Sequence, residues 1–206
     1  MKNFLSLILS NKYFIYPSLA MWGLGIIVLV GCDKGSIILA LSGMHNPYMM
    51  TFWQCITYMG GAVFYVFALM IGLFFNRQYV KYAAIQGLIL IILIRILKMI
   101  ASTVRPYEYF SSIGLWDDIS TYVFFPMESS GSFPSGHTMT AYALMSMTAF
   151  YCKRGWIKFL LFLMATMVAF SRLYTLQHFF VDVYAGSIIG VFLSLMIKYI
   201  GIKFFK

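Results

Sequence analysis

The chain has 206 residues, 62% of them apolar and only 10% charged, with a mean hydropathy of +0.85. Soluble domains hold roughly 45–50% apolar residues, so an ordinary soluble domain is excluded. Fifteen Lys and Arg against six Asp and Glu give a net charge of +9, but the basic residues flank long apolar runs, which ties the excess to membrane orientation and not to nucleic acid.

A hydrocarbon core roughly 30 Å thick takes about 20 apolar helical residues to cross. In chain order the predicted spans are 13–31, 52–75, 80–101, 137–152, 156–174 and 179–204, the fourth short and the last long. These runs are too long for membrane-barrel strands of about 10 residues. The expected fold class is therefore all-α, an integral membrane six-transmembrane-helix bundle forming a single domain over residues 1–206. The first span reads as a retained signal anchor, although Leu29 to Cys32 resembles a lipoprotein processing site. Cys32, Cys55 and Cys152 have no spacing that indicates a disulfide framework or a zinc site.

Orientation follows from the basic residues of short loops. Lys2 and Lys12, Arg77 and Lys81, Lys153, Arg154 and Lys158, and Lys198, Lys203 and Lys206 make up ten of the fifteen, with no acid among them. The six acids, Asp33, Glu108, Asp117, Asp118, Glu128 and Asp182, fall on the other side. Both termini are therefore expected in the cytoplasm, and the two long polar segments, 32–51 and 102–136, outside.

Polar residues in or beside membrane spans are costly and call for a reason. Three clusters stand out. In KMIASTVRP, Lys98 and Arg105 are seven residues apart, two helical turns, which predicts two cations on one face about 10 Å apart; either alone would read as snorkelling to the interface. In SFPSGHT, Pro134 and Ser135 signal a helix start with Ser135 as N-cap. Gly136 leaves the first amides open to an anion, and His137 stands in the first turn. In SRLYTLQHFFVD, His178 and Asp182 are four apart, which predicts one helical face and a carboxylate that orients the imidazole for nucleophilic or base chemistry. Arg172 adds a third cation. Three cations around an anion-binding helix start imply phosphate.

With these three stretches in this order and spacing, the chain resembles the type 2 phosphatidic acid phosphatase superfamily, the membrane lipid phosphate phosphatases, from the third span onward. The resemblance implies a lipid phosphatase/haloperoxidase-like helical fold, with His178 as the nucleophile that forms a phosphohistidine, Asp182 orienting it and His137 protonating the leaving group. It further implies that Lys98, Arg105, Arg172, Ser135 and the Gly136 amide hold the phosphoryl oxygens, with no metal or cofactor. The implied partner is a membrane lipid phosphate or diphosphate in the bilayer, of the lipid A, undecaprenyl diphosphate, phosphatidylglycerol phosphate or phosphatidic acid class, and no nucleic acid. The implied location is a bacterial cytoplasmic membrane, with the site facing the periplasm or exterior. A lipid phosphotransferase using the same residues is an alternative, as is a non-catalytic phospholipid transporter or flippase; oligomeric state is not legible.

Arg95 lies outside the three stretches. It sits one turn deeper than Lys98, where a charge costs roughly 2.5–3.5 kcal/mol by insertion scales. The sequence suggests a contact with a second phosphate or a sugar head group, against the plainer alternative of helix-end carbonyls or water. Gly186 and Gly190, on one stripe with Asp182, are expected to seat the last helix closely against a neighbour. His45, Trp116, Asp117 and Asp118 are candidates for shaping the mouth of the site.

Overall fold

The structure, a computed structural model, describes residues 4–128 and 131–204; Lys2 and Lys206 of the basic flanks lie outside them. In chain order the helices are α1 (Phe4–Ser10), α2 (Lys12–Gly31), α3 (Ser36–Ser42), α4 (Pro47–Thr57), α5 (Ala62–Phe75), α6 (Arg77–Ala101), α7 (Pro106–Ser112), α8 (Trp116–Ile119), α9 (Gly136–Tyr151), α10 (Gly155–Tyr174) and α11 (Phe180–Phe204). Local chemistry marks several starts. The Asn46 side chain accepts from the Met49 amide at 2.9 Å to begin α4, and Asn76 accepts from Tyr79 at 2.9 Å to begin α6.

The chain is an all-helical integral membrane protein, and each predicted span has a helical counterpart. Four of them, α2, α6, α10 and α11, are long and apolar enough to cross a bilayer unbroken. The second predicted span is not continuous: α4 with its following 3-10 turn meets α5 at a 54° bend. Gly60 and Gly61 make that bend. Gly61 is extended (φ −86°, ψ 163°), and a Cβ on Gly60 would lie 2.6 Å from the His137 carbonyl. The fourth, α9, has 16 residues, a rise of only about 24 Å. It does not have to match the bilayer, because Met139, Ala141 to Met147 and Ala149 are buried by protein.

Around this short central helix, α10 and α11 pack along its sides and α5 and α6 along another. Phe14, Tyr142, Phe162, Ala165 and Val191 belong to the largest core cluster among the described residues. The glycine stripe sets how closely α11 approaches. A Cβ on Gly186 would meet the Ser135 carbonyl at 2.9 Å, and one on Gly190 the Met139 carbonyl at 2.6 Å. Three mid-bundle polar side chains are satisfied internally, as hydrocarbon requires. Gln86 Nε2 donates to Ser194 Oγ at 2.5 Å, Ser194 Oγ donates to the Ala143 carbonyl at 2.7 Å, and the Tyr65 hydroxyl donates to the Ala83 carbonyl at 2.8 Å. Ile91, Ile92, Met99 and Phe74 remain exposed, as lipid-facing residues do.

Candidate active site

Backbone bonds draw the three polar clusters to one end of the bundle. The Ser132 amide donates to the Thr103 carbonyl at 3.1 Å and the Ser135 amide to the Asp182 carbonyl at 3.1 Å. Arg105 Nη1 donates to the Gln177 carbonyl at 3.2 Å. These link the segment after α6, the start of α9, and the junction between α10 and α11.

Lys98 and Arg105 do not share a helix face. After Ala101 the backbone turns left-handed at Ser102 (φ 41°), and Arg105 is extended (φ −86°, ψ 166°) as N-cap of α7. Pro106 disfavours helical geometry at the residue before it, so a bend and not two helical turns brings the cations together. His178 is likewise outside a helix. It lies in the turn before α11, whose Leu176 has φ 57°, and the His178 amide donates to the Arg172 carbonyl at 3.2 Å.

His178 and Asp182 nevertheless meet. Nδ1 of His178 lies 3.5 Å from Asp182 Oδ2, close enough for electrostatic pairing but without hydrogen-bond alignment, since this nitrogen has no hydrogen-bond partner. The carboxylate is held by others: Oδ2 accepts from Ser132 Oγ at 2.5 Å and from the Phe179 amide at 2.8 Å. Burial pushes the His178 imidazole down to about 3, with Asp182 pulling upward and Arg172 and Arg105 pushing further down. At neutral pH it is an uncharged base beside a fixed carboxylate, a state suited to a nucleophile.

The cations surround this pair. Arg172 is buried and its Nη1 donates to Thr57 Oγ1 at 2.7 Å, while Ser171 Oγ donates to the same hydroxyl at 3.0 Å. Arg105 also donates to Gln177 Oε1 at 3.3 Å and forms an ion pair with Glu128, whose side chain is largely exposed. Lys98, Arg105 and Arg172 all lie within electrostatic range of His137.

At the start of α9, Ser135 is the N-cap. Its Oγ accepts from the Thr138 amide at 3.5 Å and from the Thr138 hydroxyl at 3.0 Å. Because the Ser135 amide is used by Asp182, the open amides of this first turn are those of Gly136 and His137. A Cβ on Gly136 would meet Ile94 no closer than 3.4 Å, so packing does not demand glycine there; what a side chain would cover is the amide.

Arg95 is exposed on α6 and lines a groove that also reaches Gly136 and His137. Of the mouth candidates, His45 packs against Tyr174 with ring centroids 4.7 Å apart, and Trp116 against Tyr107 at 5.0 Å. Sequence reasoning did not single out Thr57, Thr103, Glu128, Gln177 or the Ser132–Asp182 bond. Ser132 and Gln177 lie inside the recognisable stretches, where a polar neighbour of the site could be sought. Thr57 carries no such signal, because it comes from the bend of a different span.

The sequence profile of the PAP2 superfamily matches residues 78–206, a segment that contains both histidines, Asp182 and all three cations. The chain belongs to the PAP2 superfamily. It is accordingly a membrane lipid phosphatase, a hydrolase of phosphate ester bonds. No curated protein sequence matches it. The PAP2 fold is shared with the crystal structure of LpxE from Aquifex aeolicus, at a TM-score of 0.70 and 23% identity over 81% of this chain and 94% of that one. It is shared also with the PAP2 type phosphatidylglycerolphosphate phosphatase of Bacillus subtilis, at a TM-score of 0.63 and 23% identity over the whole of both chains. Thr57 falls outside the PAP2 profile match.

Proposed function

We propose that the protein hydrolyses a lipid phosphate or diphosphate at the outer face of a bacterial cytoplasmic membrane, through a phosphohistidine on His178. The carrying observation is the buried His178 with Nδ1 toward a carboxylate that Ser132 and the Phe179 amide hold in place. That leaves Nε2 as the attacking atom. Its lone pair forms the P–N bond while the bond from phosphorus to the leaving oxygen breaks, and His137, protonated once the anionic substrate offsets the three cations around it, gives that oxygen its proton. Water then attacks phosphorus, passing a proton to His137; the P–N bond breaks and orthophosphate leaves.

Lys98, Arg105, Arg172, Ser135 and the Gly136 amide stabilise the equatorial oxygens, the main demand of phosphoryl transfer. A phosphoryl oxygen replaces the Glu128 carboxylate at Arg105. The basic flanks at the far end of the bundle support cytoplasmic termini and an outward-facing site. The substrate classes that fit are lipid A phosphates, undecaprenyl diphosphate, phosphatidylglycerol phosphate and phosphatidic acid.

The test is purified protein in detergent with one lipid of each class, scoring free phosphate. Wild type is expected to release it, and His178→Ala none, with an unchanged melting temperature. Phosphate release by the variant at the wild-type rate would remove His178 as nucleophile, and phosphate recovered on a second lipid would make the protein a transferase.

A further inference from the structure

Between α5 and α6 runs an open groove of about 640 Å³, walled by Tyr65 and Leu69 on one side and Leu88 and Ile91 on the other. Its upper end is formed by the Gly60–Gly61 bend and by Gly136 and His137, and among the described residues Arg95 is the one Lys or Arg on its wall. Arg95 lies three residues before Lys98, about 4.5 Å deeper along the helix. Among the described residues its side chain has neither an ion-pair partner nor a hydrogen bond. A guanidinium on a lipid-facing wall is costly unless it meets an anion.

In-line displacement puts the nucleophile and the leaving group on opposite sides of phosphorus. If His178 attacks and His137 faces the leaving oxygen, the groove that begins at His137 receives the leaving group and the lipid tail behind it. The leaving group's chemistry then decides what Arg95 is for. An alcohol departs neutral once His137 has protonated it, and a permanent cation adds little. A phosphate departs still charged, and a guanidinium one turn below Lys98, on the wall of the groove that begins at His137, can meet that charge with paired N–H groups.

We propose that Arg95 is a specificity residue for lipid diphosphates, holding the phosphate that stays with the lipid. In that reaction His178 Nε2 attacks the terminal phosphorus, and the bond from it to the bridging oxygen breaks. The lipid monophosphate leaves with that oxygen, protonated by His137, its remaining charge against Arg95. Water then releases orthophosphate from His178 as before. The inference rests on the catalytic reading of His178 and His137 above.

The test uses two probes that differ by one phosphate, farnesyl diphosphate and farnesyl phosphate, with full-length wild type, Arg95→Gln and Arg95→Lys. The ratio of kcat/KM for diphosphate over monophosphate is expected to fall roughly tenfold to a hundredfold in Arg95→Gln, the range for losing one hydrogen bond to a charged group. Arg95→Lys is expected to restore most of it, since the charge returns without the planar fork. An unchanged ratio in Arg95→Gln, whether both substrates lose equally or neither does, overturns the inference and leaves the catalytic reading standing. Failure of the wild type to hydrolyse farnesyl diphosphate overturns the inference, and the catalytic reading falls with it only if no lipid phosphate of the four classes above releases phosphate either.

Discussion

At the scale of single residues, the decisive property is the protonation state of His178. An imidazole titrating near 6.5 would be partly charged at neutral pH, whereas burial holds this one down to about 3. The folded state thus refuses a proton that the unfolded chain accepts from pH 6.5 downward. Stability contributed by residue 178 is present above about pH 6.5 and is lost progressively as pH falls toward 3. The slope is at most about 1.4 kcal/mol per pH unit. Thermal melts in detergent between pH 7 and 4 are expected to fall more steeply for wild type than for His178→Gln; parallel curves would contradict a neutral, buried imidazole. Asp182 makes the arrangement tolerable, because its carboxylate is already satisfied by Ser132 and Phe179 and does not require a charged partner.

Helices carry a different kind of constraint, in which backbone meets backbone. On α11 the glycines let α9 approach so closely that the Ser135 amide bonds the Asp182 carbonyl, and this contact sets His137 relative to His178. A Cβ on Gly190 would lie 2.6 Å from the Met139 carbonyl and 3.0 Å from the Ala143 amide, and neither can yield as a flexible side chain would. Gly190→Ala is expected to cost about 1–3 kcal/mol through overpacking and to lower activity along with the melting temperature. Gly23 on α2 is the control: a Cβ there meets nothing within 4 Å, so Gly23→Ala is expected to be neutral or to gain up to about 1 kcal/mol from helix propensity. Equal effects at the two positions would mean that close helix approach is not what seats the site.

Across the whole molecule, charge sets orientation and the bundle sets depth. The short α8, with Asp117 and Asp118, follows the bend that brings Arg105 to the site, whereas Arg154 begins α10 at the far end from Arg172. With Cys32, Cys55 and Cys152 replaced, a membrane-impermeant maleimide on intact cells is expected to label Asp117→Cys and to spare Arg154→Cys. The reverse pattern would turn the site toward the cytoplasm.

Apolar run length was enough to reveal a helical membrane protein, because crossing hydrocarbon imposes a length and composition that nothing else in the chain imitates. The residues of KMIASTVRP, SFPSGHT and SRLYTLQHFFVD were legible for a related reason: charged and polar side chains beside membrane spans stand out against their surroundings. Helical spacing was a poor guide to how they are held. Lys98 with Arg105 and His178 with Asp182 read as helix-face pairs, but the left-handed turn at Ser102 brings the first pair together, and His178 reaches Asp182 from just outside the start of α11, with their geometry supported by contacts distant in sequence. The same holds for the anchoring of Arg172 by Thr57 and for the groove that joins Arg95 to His137. Each depends on the Gly60–Gly61 bend and on the burial of a helix too short for the bilayer, which are properties of packing between spans and leave no periodic trace within any one of them.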